Sequence, residues 1–202
     1  MRAGILKNIA KVTLGLSAML YLLQGAPLGA QSSEMSEREI EALLQYRMEG
    51  FSPSEVHRLT LHIEDMAEKY SFPVSSILSV IATESSFHPE AVSPVGAIGM
   101  MQIMPVTAEY IVDHFDLPTY HGVNDLFDPM VNITIGVAYL SWLRDRYVVS
   151  TKYFSAYNMG PGKFNRMQKA NLPQLTSVED YVNKVHNGIY EIKREAQDLA
   201  LE

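Results

Sequence analysis

The sequence predicts one all-α domain, and three observations support this prediction. Apolar residues recur at helical spacing in every strongly periodic segment. Helix-capping signals precede most of these segments, and no segment alternates apolar and polar residues convincingly enough to be a strand. The 202 residues provide one sizeable core but not comfortably two. We therefore expect a single domain over about residues 36–198, and we find no internal repeat.

The first thirty residues have the order of a secretory signal peptide. Three basic residues and an apolar run over residues 12–23 lead to small residues that end at Ala30. This run is shorter than the roughly 17 residues that a bilayer-spanning helix needs, so an uncleaved membrane anchor is the weaker alternative. We expect cleavage near Ala30, export to the periplasm, and a short polar leader at residues 31–35.

Composition excludes several classes of function. The chain contains no cysteine, which removes disulfides, thiol catalysis and thiolate metal sites. Cleavage after residue 30 would remove three basic residues and no acidic ones, so the formal net charge would change from −7 to −10. A chain this acidic is not expected to bind nucleic acid.

Capping boxes open the first two predicted helices. Ser36 and Glu39 begin a helix that ends near Gly50. Ser52 and Glu55 begin the second helix, with a proline at its first position. The apolar stripe of the second helix consists of Val56, Leu59, Ile63, Met66, Ala67 and Tyr70.

A third helix is predicted from Pro73 to about Ser86, and a structured loop follows it. The apolar residues of this helix are Val74, Ile77, Leu78, Val80 and Ile81. Prolines and glycines make a helix over residues 89–99 improbable, because proline lacks the backbone donor and glycine costs conformational entropy.

The second half of the chain predicts four further elements and one loop. The segment PVTAEYIVDHF resumes a helix, and residues 116–127 form a loop. Asp128 caps a long helix, and a short helix over about 151–158 ends at the sequence GPG. The last helix opens at Thr176, with Glu179 three residues later as in a capping box.

Glu84 is out of place in the third helix. At 100° per residue its side chain projects between Ile77 and Val80, within the stripe that the helix should bury. A buried carboxyl has a raised pKa, which is what a proton donor near neutral pH requires. Alternatively, Glu84 lies at the edge of the core and reaches water or a basic partner. Periodicity alone leaves both interpretations open.

The loop after Glu84 favours a binding site. Gly96 and Gly99 allow the backbone to approach a ligand closely, and Ser93 and Gln102 add polar groups near the helix end. Concave sites with a few directed polar groups have this composition. Taken singly, Ser93 also fits a turn residue and Gln102 a helix cap.

Four motifs in this order resemble those of the bacterial lytic transglycosylases of the soluble, lysozyme-like type. They are ESSF at 84–87, GAIGMMQIMP at 96–105, AYNMGPG at 156–162 and EDYVNKV at 179–185. The resemblance spans roughly residues 70–190. The departures from the family pattern are Met100 for leucine, Met159 for alanine and Asp180 for threonine, and none of them touches Glu84.

The resemblance implies an all-α, lysozyme-like domain whose helices surround a glycan-binding cleft. It implies Glu84 as catalytic acid and base in non-hydrolytic cleavage between N-acetylmuramic acid (MurNAc) and N-acetylglucosamine (GlcNAc) in peptidoglycan, with closure of a 1,6-anhydromuramyl end. Neither a cofactor nor a metal is implied. The implied cleft residues are Ser93, Met101, Gln102, Tyr157, Asn158 and Tyr181. From the residues alone, Met101 and Tyr181 also fit the core, and the Tyr181 hydroxyl could pair with Glu84.

Other functions are also compatible with parts of the sequence. The six histidines form no H-E-x-x-H motif and no paired spacing, so we expect no metal site. A muramidase that uses water, or a catalytically silent module for wall binding or secretion, would keep the same cleft. A hydrolase normally needs a second carboxylate. The nearest others in sequence are Glu90, Glu109, Asp125 and Asp128. We expect a monomer whose partner is the peptidoglycan glycan strand, while machinery partners stay open.

Overall fold

A computed structural model describes residues 35–117 and 120–202 of the chain. The predicted signal peptide and most of the predicted leader lie outside these residues. Within them the secondary structure is helical, which confirms the all-α prediction. The α-helices are α1 Glu37–Arg47, α2 Pro53–Tyr70, α3 Val74–Ser85, α4 Pro105–Phe115, α5 Pro129–Tyr147, α6 Ser150–Met159, α7 Pro161–Lys169 and α8 Thr176–Ala200, and a 3-10 helix spans Val123–Phe127.

Local capping signals begin three helices where the sequence predicts. Ser36 and Glu39 form a reciprocal capping box at α1, and Ser52 and Glu55 form one at α2. The Asp128 side chain accepts hydrogen bonds from two backbone N–H groups in the first turn of α5. These side chains satisfy donors that the helix itself leaves unpaired.

The C-terminal third differs from the prediction in two respects. The short helix predicted over about 151–158 does end at the sequence GPG, as α6 with Gly160 at its C-cap, but the sequence did not predict α7, which Pro161 begins after Gly160 turns the chain at φ +82°. Thr176 does not cap α8: Leu175 occupies the capping position, and its side chain makes no capping hydrogen bond. Within the segment 116–127, which was predicted to be a loop, residues Val123–Phe127 form the short 3-10 helix.

Helix α3 lies at the centre of the core and packs along α8. Its residues from Val74 to Ile81 are all buried. The hydroxyl of Ser79 donates a hydrogen bond of 2.7 Å to the Val185 carbonyl, and a side chain at Gly188 would overlap Ser79. This close approach fixes α8 against α3 over the two turns that lead to Glu84.

Candidate active site

Glu84 lies in the last turn of α3, where the helix leaves the core. Its carboxylate oxygen Oε1 accepts a hydrogen bond of 2.7 Å from the hydroxyl of Tyr181 on α8. Tyr181 is itself buried, so the pairing of its hydroxyl with Glu84 that the sequence suggested is present. The packing of α3 on α8 therefore determines where this carboxyl group points.

Burial controls the protonation of Glu84. Desolvation raises the pKa of its carboxyl from 4.5 to about 7, and the hydrogen bond from Tyr181 partly opposes that rise. The same desolvation, together with the nearby Glu84 charge, raises the pKa of the Tyr181 hydroxyl well above 10. Near neutral pH, Glu84 is thus available both as a protonated acid and as a carboxylate, while Tyr181 stays a neutral donor.

Asn132, on α5, holds the loop that follows α3. Its amide Nδ2 donates to the carbonyls of Ile98 and Leu126 at 2.9 and 2.8 Å, and its Oδ1 accepts from the Met101 N–H at 2.7 Å. Gly99 has φ +80°, and a Cβ at this position would overlap Asn132 and the Leu126 carbonyl. Only glycine fits so close to the amide, which explains one of the two glycines noted in the sequence.

Ser93 and Gln102 also shape this loop. The Ser93 hydroxyl accepts a hydrogen bond of 2.9 Å from the Ala97 N–H. Gln102 Nε2 donates to the Ala91 and Gly99 carbonyls at 3.1 and 2.9 Å. Both side chains thus combine the structural role of a turn residue with a position at the cleft.

A cleft of about 350 Å³ opens in front of Glu84. Five of the seven predicted site residues line it, namely Glu84, Ser93, Gln102, Tyr157 and Asn158. Tyr181 lies behind Glu84 and contacts it directly. Polar groups from α3, the loop and α6 therefore converge on one concave surface, as expected for a ligand site.

Tyr157 forms the wall of the cleft rather than an exposed platform. It is only 8% exposed, and its hydroxyl donates a hydrogen bond of 2.8 Å to the Met101 carbonyl. Its ring lies 5.1 Å from the ring of Tyr139, centroid to centroid. The neighbouring Asn158 is exposed, so its amide is free to meet a ligand.

Met101 does not line the cleft. Its side chain is fully buried, and it packs so closely on Gly136 of α5 that a Cβ there would overlap its sulfur. Met101 contributes instead through its backbone, because its N–H binds Asn132 and its carbonyl binds Tyr157. The core interpretation, which the sequence left open, describes this side chain.

Three residues with polar groups at the site were not predicted as site residues from the sequence. Tyr139 and Thr107 line the cleft, and Asn132 anchors its loop. The sequence did contain a signal for Asn132. An asparagine on the apolar face of a helix, one turn before Gly136, indicates a side-chain amide that is hydrogen-bonded in the core. Tyr139 carried no comparable signal, since an aromatic residue on a buried stripe is ordinary core.

Glu84 is the only carboxylate among the described residues that line the cleft. Glu90 and Glu109 are exposed elsewhere. Asp125 accepts a hydrogen bond from the His121 N–H, and Asp128 caps α5. None of the four other carboxylates considered from the sequence is therefore positioned as a second catalytic acid.

One group of possible metal ligands occurs in the part of the chain that the structure describes. It consists of Glu37 and Glu41 on α1 and His57 on α2, at the surface. The Nδ1 atom of His57 lies 2.6 Å from Glu41 and 3.4 Å from Glu37. None of these residues lines the cleft, so this group is not part of the site built around Glu84.

The region that contains this site matches a known protein family. Residues 62–177 match the model of the transglycosylase SLT domain. Over 111 residues the chain is 38% identical to the soluble lytic murein transglycosylase of Escherichia coli strain K12, a match that covers 52% of this chain and 17% of that protein. Over 116 residues it is 42% identical to the membrane-bound lytic murein transglycosylase C of Histophilus somni strain 2336, covering 52% of this chain and 31% of that protein.

The fold is also similar to a solved structure. The crystal structure of the 70 kDa soluble lytic transglycosylase from Escherichia coli superposes with a TM-score of 0.57 at 26% identity, covering 71% of this chain and 28% of the other. This likeness confirms the all-α, lysozyme-like fold that the sequence predicted. The chain spans less than a third of the length of each of these three proteins.

Proposed function

Since the chain belongs to the transglycosylase SLT domain family, we propose that it is a peptidoglycan lytic transglycosylase with Glu84 as its catalytic residue. Its substrate is the glycan strand of peptidoglycan, cleaved between MurNAc and GlcNAc. The relatives are named for activity on murein, and the family match contains Glu84 and the loop that follows it. Ser93, Gln102, Tyr157 and Asn158 form the substrate-contacting wall of the cleft.

The observation that carries the proposal is one partly buried carboxyl among the described cleft residues, whose pKa desolvation raises to about 7. In the first step, protonated Glu84 donates its proton to the glycosidic oxygen, and the bond from that oxygen to C1 of MurNAc breaks. In the second step, the Glu84 carboxylate accepts the proton of the substrate's own C6 hydroxyl, whose oxygen bonds to C1. The proton balance closes, no water is consumed, and a 1,6-anhydromuramyl end forms. The N-acetyl group of the substrate assists at C1 between the two steps.

Tyr181 positions Glu84 and stabilises its charge. Because its hydroxyl donates to Oε1, the other oxygen of Glu84 carries the transferable proton. Once that proton has left, the same hydrogen bond is made to an ion, and such bonds are stronger than neutral ones. Tyr181 therefore favours the carboxylate that the second step needs.

Gln102 offers an acceptor to the substrate. Both of its donor hydrogen bonds go to backbone carbonyls, and nothing among the described residues donates to its Oε1. The exposed Asn158 amide, which also lines the cleft, provides a donor and an acceptor. These groups suit the hydroxyl and N-acetyl substituents of amino sugars.

Product analysis tests the reaction directly. Purified sacculi are digested with the protein, and the sugar ends are identified by mass spectrometry. We expect 1,6-anhydromuramyl ends, which are lighter by one water than the reducing ends that a muramidase leaves. Reducing ends alone, from a preparation free of lysozyme, would replace the transglycosylase proposal by hydrolysis. No new ends at all would favour a silent wall-binding module.

The place of action follows from the N-terminal segment. Residues 1–30 carry the signal-peptide order, and we propose cleavage near Ala30 and action in the periplasm. No helix in the described part of the chain is long and apolar enough to cross a membrane. N-terminal sequencing of the protein from its native host, after cell fractionation, tests this proposal, and a periplasmic chain that starts at Gln31 is the expected result.

A further inference from the structure

The wall of the cleft continues outward along α4 and α5. Thr107 on α4 and Tyr139 on α5 line the cleft. Three residues further along, Tyr110 and Trp142 lie on the same faces of these two helices, because residues three apart are neighbours on a helix surface. The two helices pack against each other, so these side chains extend one surface beyond the cleft.

Ring contacts join this surface to the cleft. The rings of Tyr139 and Trp142 are nearly parallel, with 6.2 Å between their centroids. The edge-to-face contact from Trp142 to Tyr110 spans 5.5 Å, and Tyr110 stacks on His114 at 5.8 Å. Four aromatic rings thus form a continuous row from the cleft to the outer surface of α4.

Exposure increases along the row. Tyr139 is 7% exposed and Trp142 is partly buried, whereas Tyr110 is 52% exposed. Val106, one turn before Tyr110, is also exposed, which enlarges the apolar surface around that ring. Trp142 contacts Tyr139, Tyr110 and Arg146. It therefore supports the neighbouring rings and does not present a free ring face to a ligand.

We propose that Tyr110 is a distal stacking site for a sugar ring of the same glycan strand that occupies the cleft. This inference rests on the proposed function, because the strand in the cleft supplies the occupant. A tyrosine combines an apolar ring face with a polar tip, which matches a sugar that presents C–H groups on its face and hydroxyls at its edge. Trp142 and His114 hold the ring in place before binding, so little side-chain entropy is lost on contact.

The consequence is a preference for long strands. Tyr110 does not line the cleft, so an oligosaccharide that stays within the cleft does not contact it, whereas a strand long enough to extend along α4 contacts both. The additional contact gives long strands a higher affinity and a slower release, while the chemistry at Glu84 is unchanged.

Binding to the Glu84→Gln protein isolates this contact from cleavage. Calorimetry would measure the affinity of peptide-free GlcNAc–MurNAc tetrasaccharide and octasaccharide. We expect Tyr110→Ala to lower octasaccharide affinity by about five- to tenfold, the effect of one aromatic contact, and to leave tetrasaccharide affinity unchanged. Tyr110→Phe should retain the preference. Tyr190→Ala, at an even more exposed tyrosine on α8, is the matched control and should change neither affinity.

Trp142 is the only tryptophan in the chain, so its emission reports on the row. We expect octasaccharide, but not tetrasaccharide, to change that emission. Equal octasaccharide affinity in the parent and Tyr110→Ala proteins would overturn the inference, and so would an equal loss for both oligosaccharides, which would indicate disturbed packing of α4 on α5. Failure of both oligosaccharides to bind the Glu84→Gln protein would contradict the proposed function itself.

Discussion

The end of α3 and the first turn of α5 each carry a polar side chain that packs against the core, but the environments of the two groups differ. Asn132 is fully buried, and its amide makes three hydrogen bonds to the loop and the 3-10 helix. Glu84 receives one hydrogen bond, from Tyr181, and burial raises its pKa to about 7.

This difference separates a structural role from a chemical one. A buried polar group whose donors and acceptors are all paired fixes the backbone around it and has nothing left to give to a ligand. Partial burial of the Glu84 carboxyl disfavours its charged form, and protonation relieves this desolvation. The group also lines the cleft, where a substrate can supply further contacts. Each of the following substitutions is chosen to separate these two roles further.

The largest effect is expected from Glu84→Gln. The amide keeps the shape and can accept the Tyr181 hydrogen bond, but it has no proton to transfer. We expect turnover on sacculi to fall by about 10²- to 10⁴-fold, the range of general acid–base catalysis, without loss of the folded state. The measurement is release of soluble muropeptides, with circular dichroism as a check on folding.

Glu90→Gln is the control for this change, because Glu90 is an exposed carboxylate in the loop that follows Glu84. It should retain the parent rate. A Glu84→Gln protein with near-parent turnover would show that Glu84 is structural and that a different acid acts.

Asn132→Ala should chiefly affect stability. The substitution leaves the Met101 N–H and the Leu126 carbonyl without their Asn132 partner, whereas the Ile98 carbonyl still accepts a hydrogen bond of 2.9 Å from the Ile103 N–H. We expect the free energy of unfolding to fall by about 3 kcal/mol, because unsatisfied buried groups cost about 1–3 kcal/mol each and local rearrangement recovers part of this. Urea unfolding measures the loss. Asn124→Ala, at an exposed position of the 3-10 helix, should stay within about 0.5 kcal/mol of the parent, and an equal effect at both positions would contradict the anchor role.

The sequence could predict the elements that depend on local chemistry. The capping boxes at Ser36 and Ser52 involve residues three apart, so their geometry is set within one turn of helix. Glu84 was visible because a charged residue interrupts a short apolar stripe. Its contact with Tyr181 was foreseeable because a buried hydroxyl needs a partner.

Other features depend on how distant helices are rotated against each other. The positions of Tyr139 and Asn132 follow from the packing of α5 behind the loop, which periodicity does not specify. The burial of Met101 follows from the absence of a side chain at Gly136. Helix α7 was missed because the glycine–proline pair was interpreted as a helix end alone, whereas Gly160, at positive φ, both ends α6 and precedes the first residue of α7.

The pH dependence of stability should differ between the parent and the Glu84→Gln protein. The folded-state pKa of Glu84 is about 7 and its reference value is 4.5, so between these values the folded state binds more protons than the unfolded state. Stability from this group is therefore present below about pH 4.5 and is lost as pH rises through 7. We expect the parent to lose about 2–3 kcal/mol relative to the Gln variant over this window, as measured by urea unfolding at several pH values. A constant difference would show that the Glu84 carboxyl titrates normally.

The smallest effect is expected from Tyr181→Phe, which removes only the hydroxyl that contacts Glu84. That hydrogen bond lowers the pKa of Glu84, so its loss should raise the pKa further and move the alkaline limb of the kcat/KM–pH profile to higher pH. Turnover near pH 6 should fall about tenfold, because the carboxylate formed after proton donation loses a hydrogen bond to an ion. At pH values above the alkaline limb of the parent, the loss of turnover should be smaller, since more of the variant remains protonated there.

Tyr157→Phe is the matched control. The Tyr157 hydroxyl binds the Met101 carbonyl rather than Glu84, so this substitution can lower activity but should leave the pH of the alkaline limb unchanged. A limb that is unmoved in Tyr181→Phe would mean that Tyr181 packs against Glu84 without controlling its proton, and the distinction between the two buried groups would then rest on burial alone.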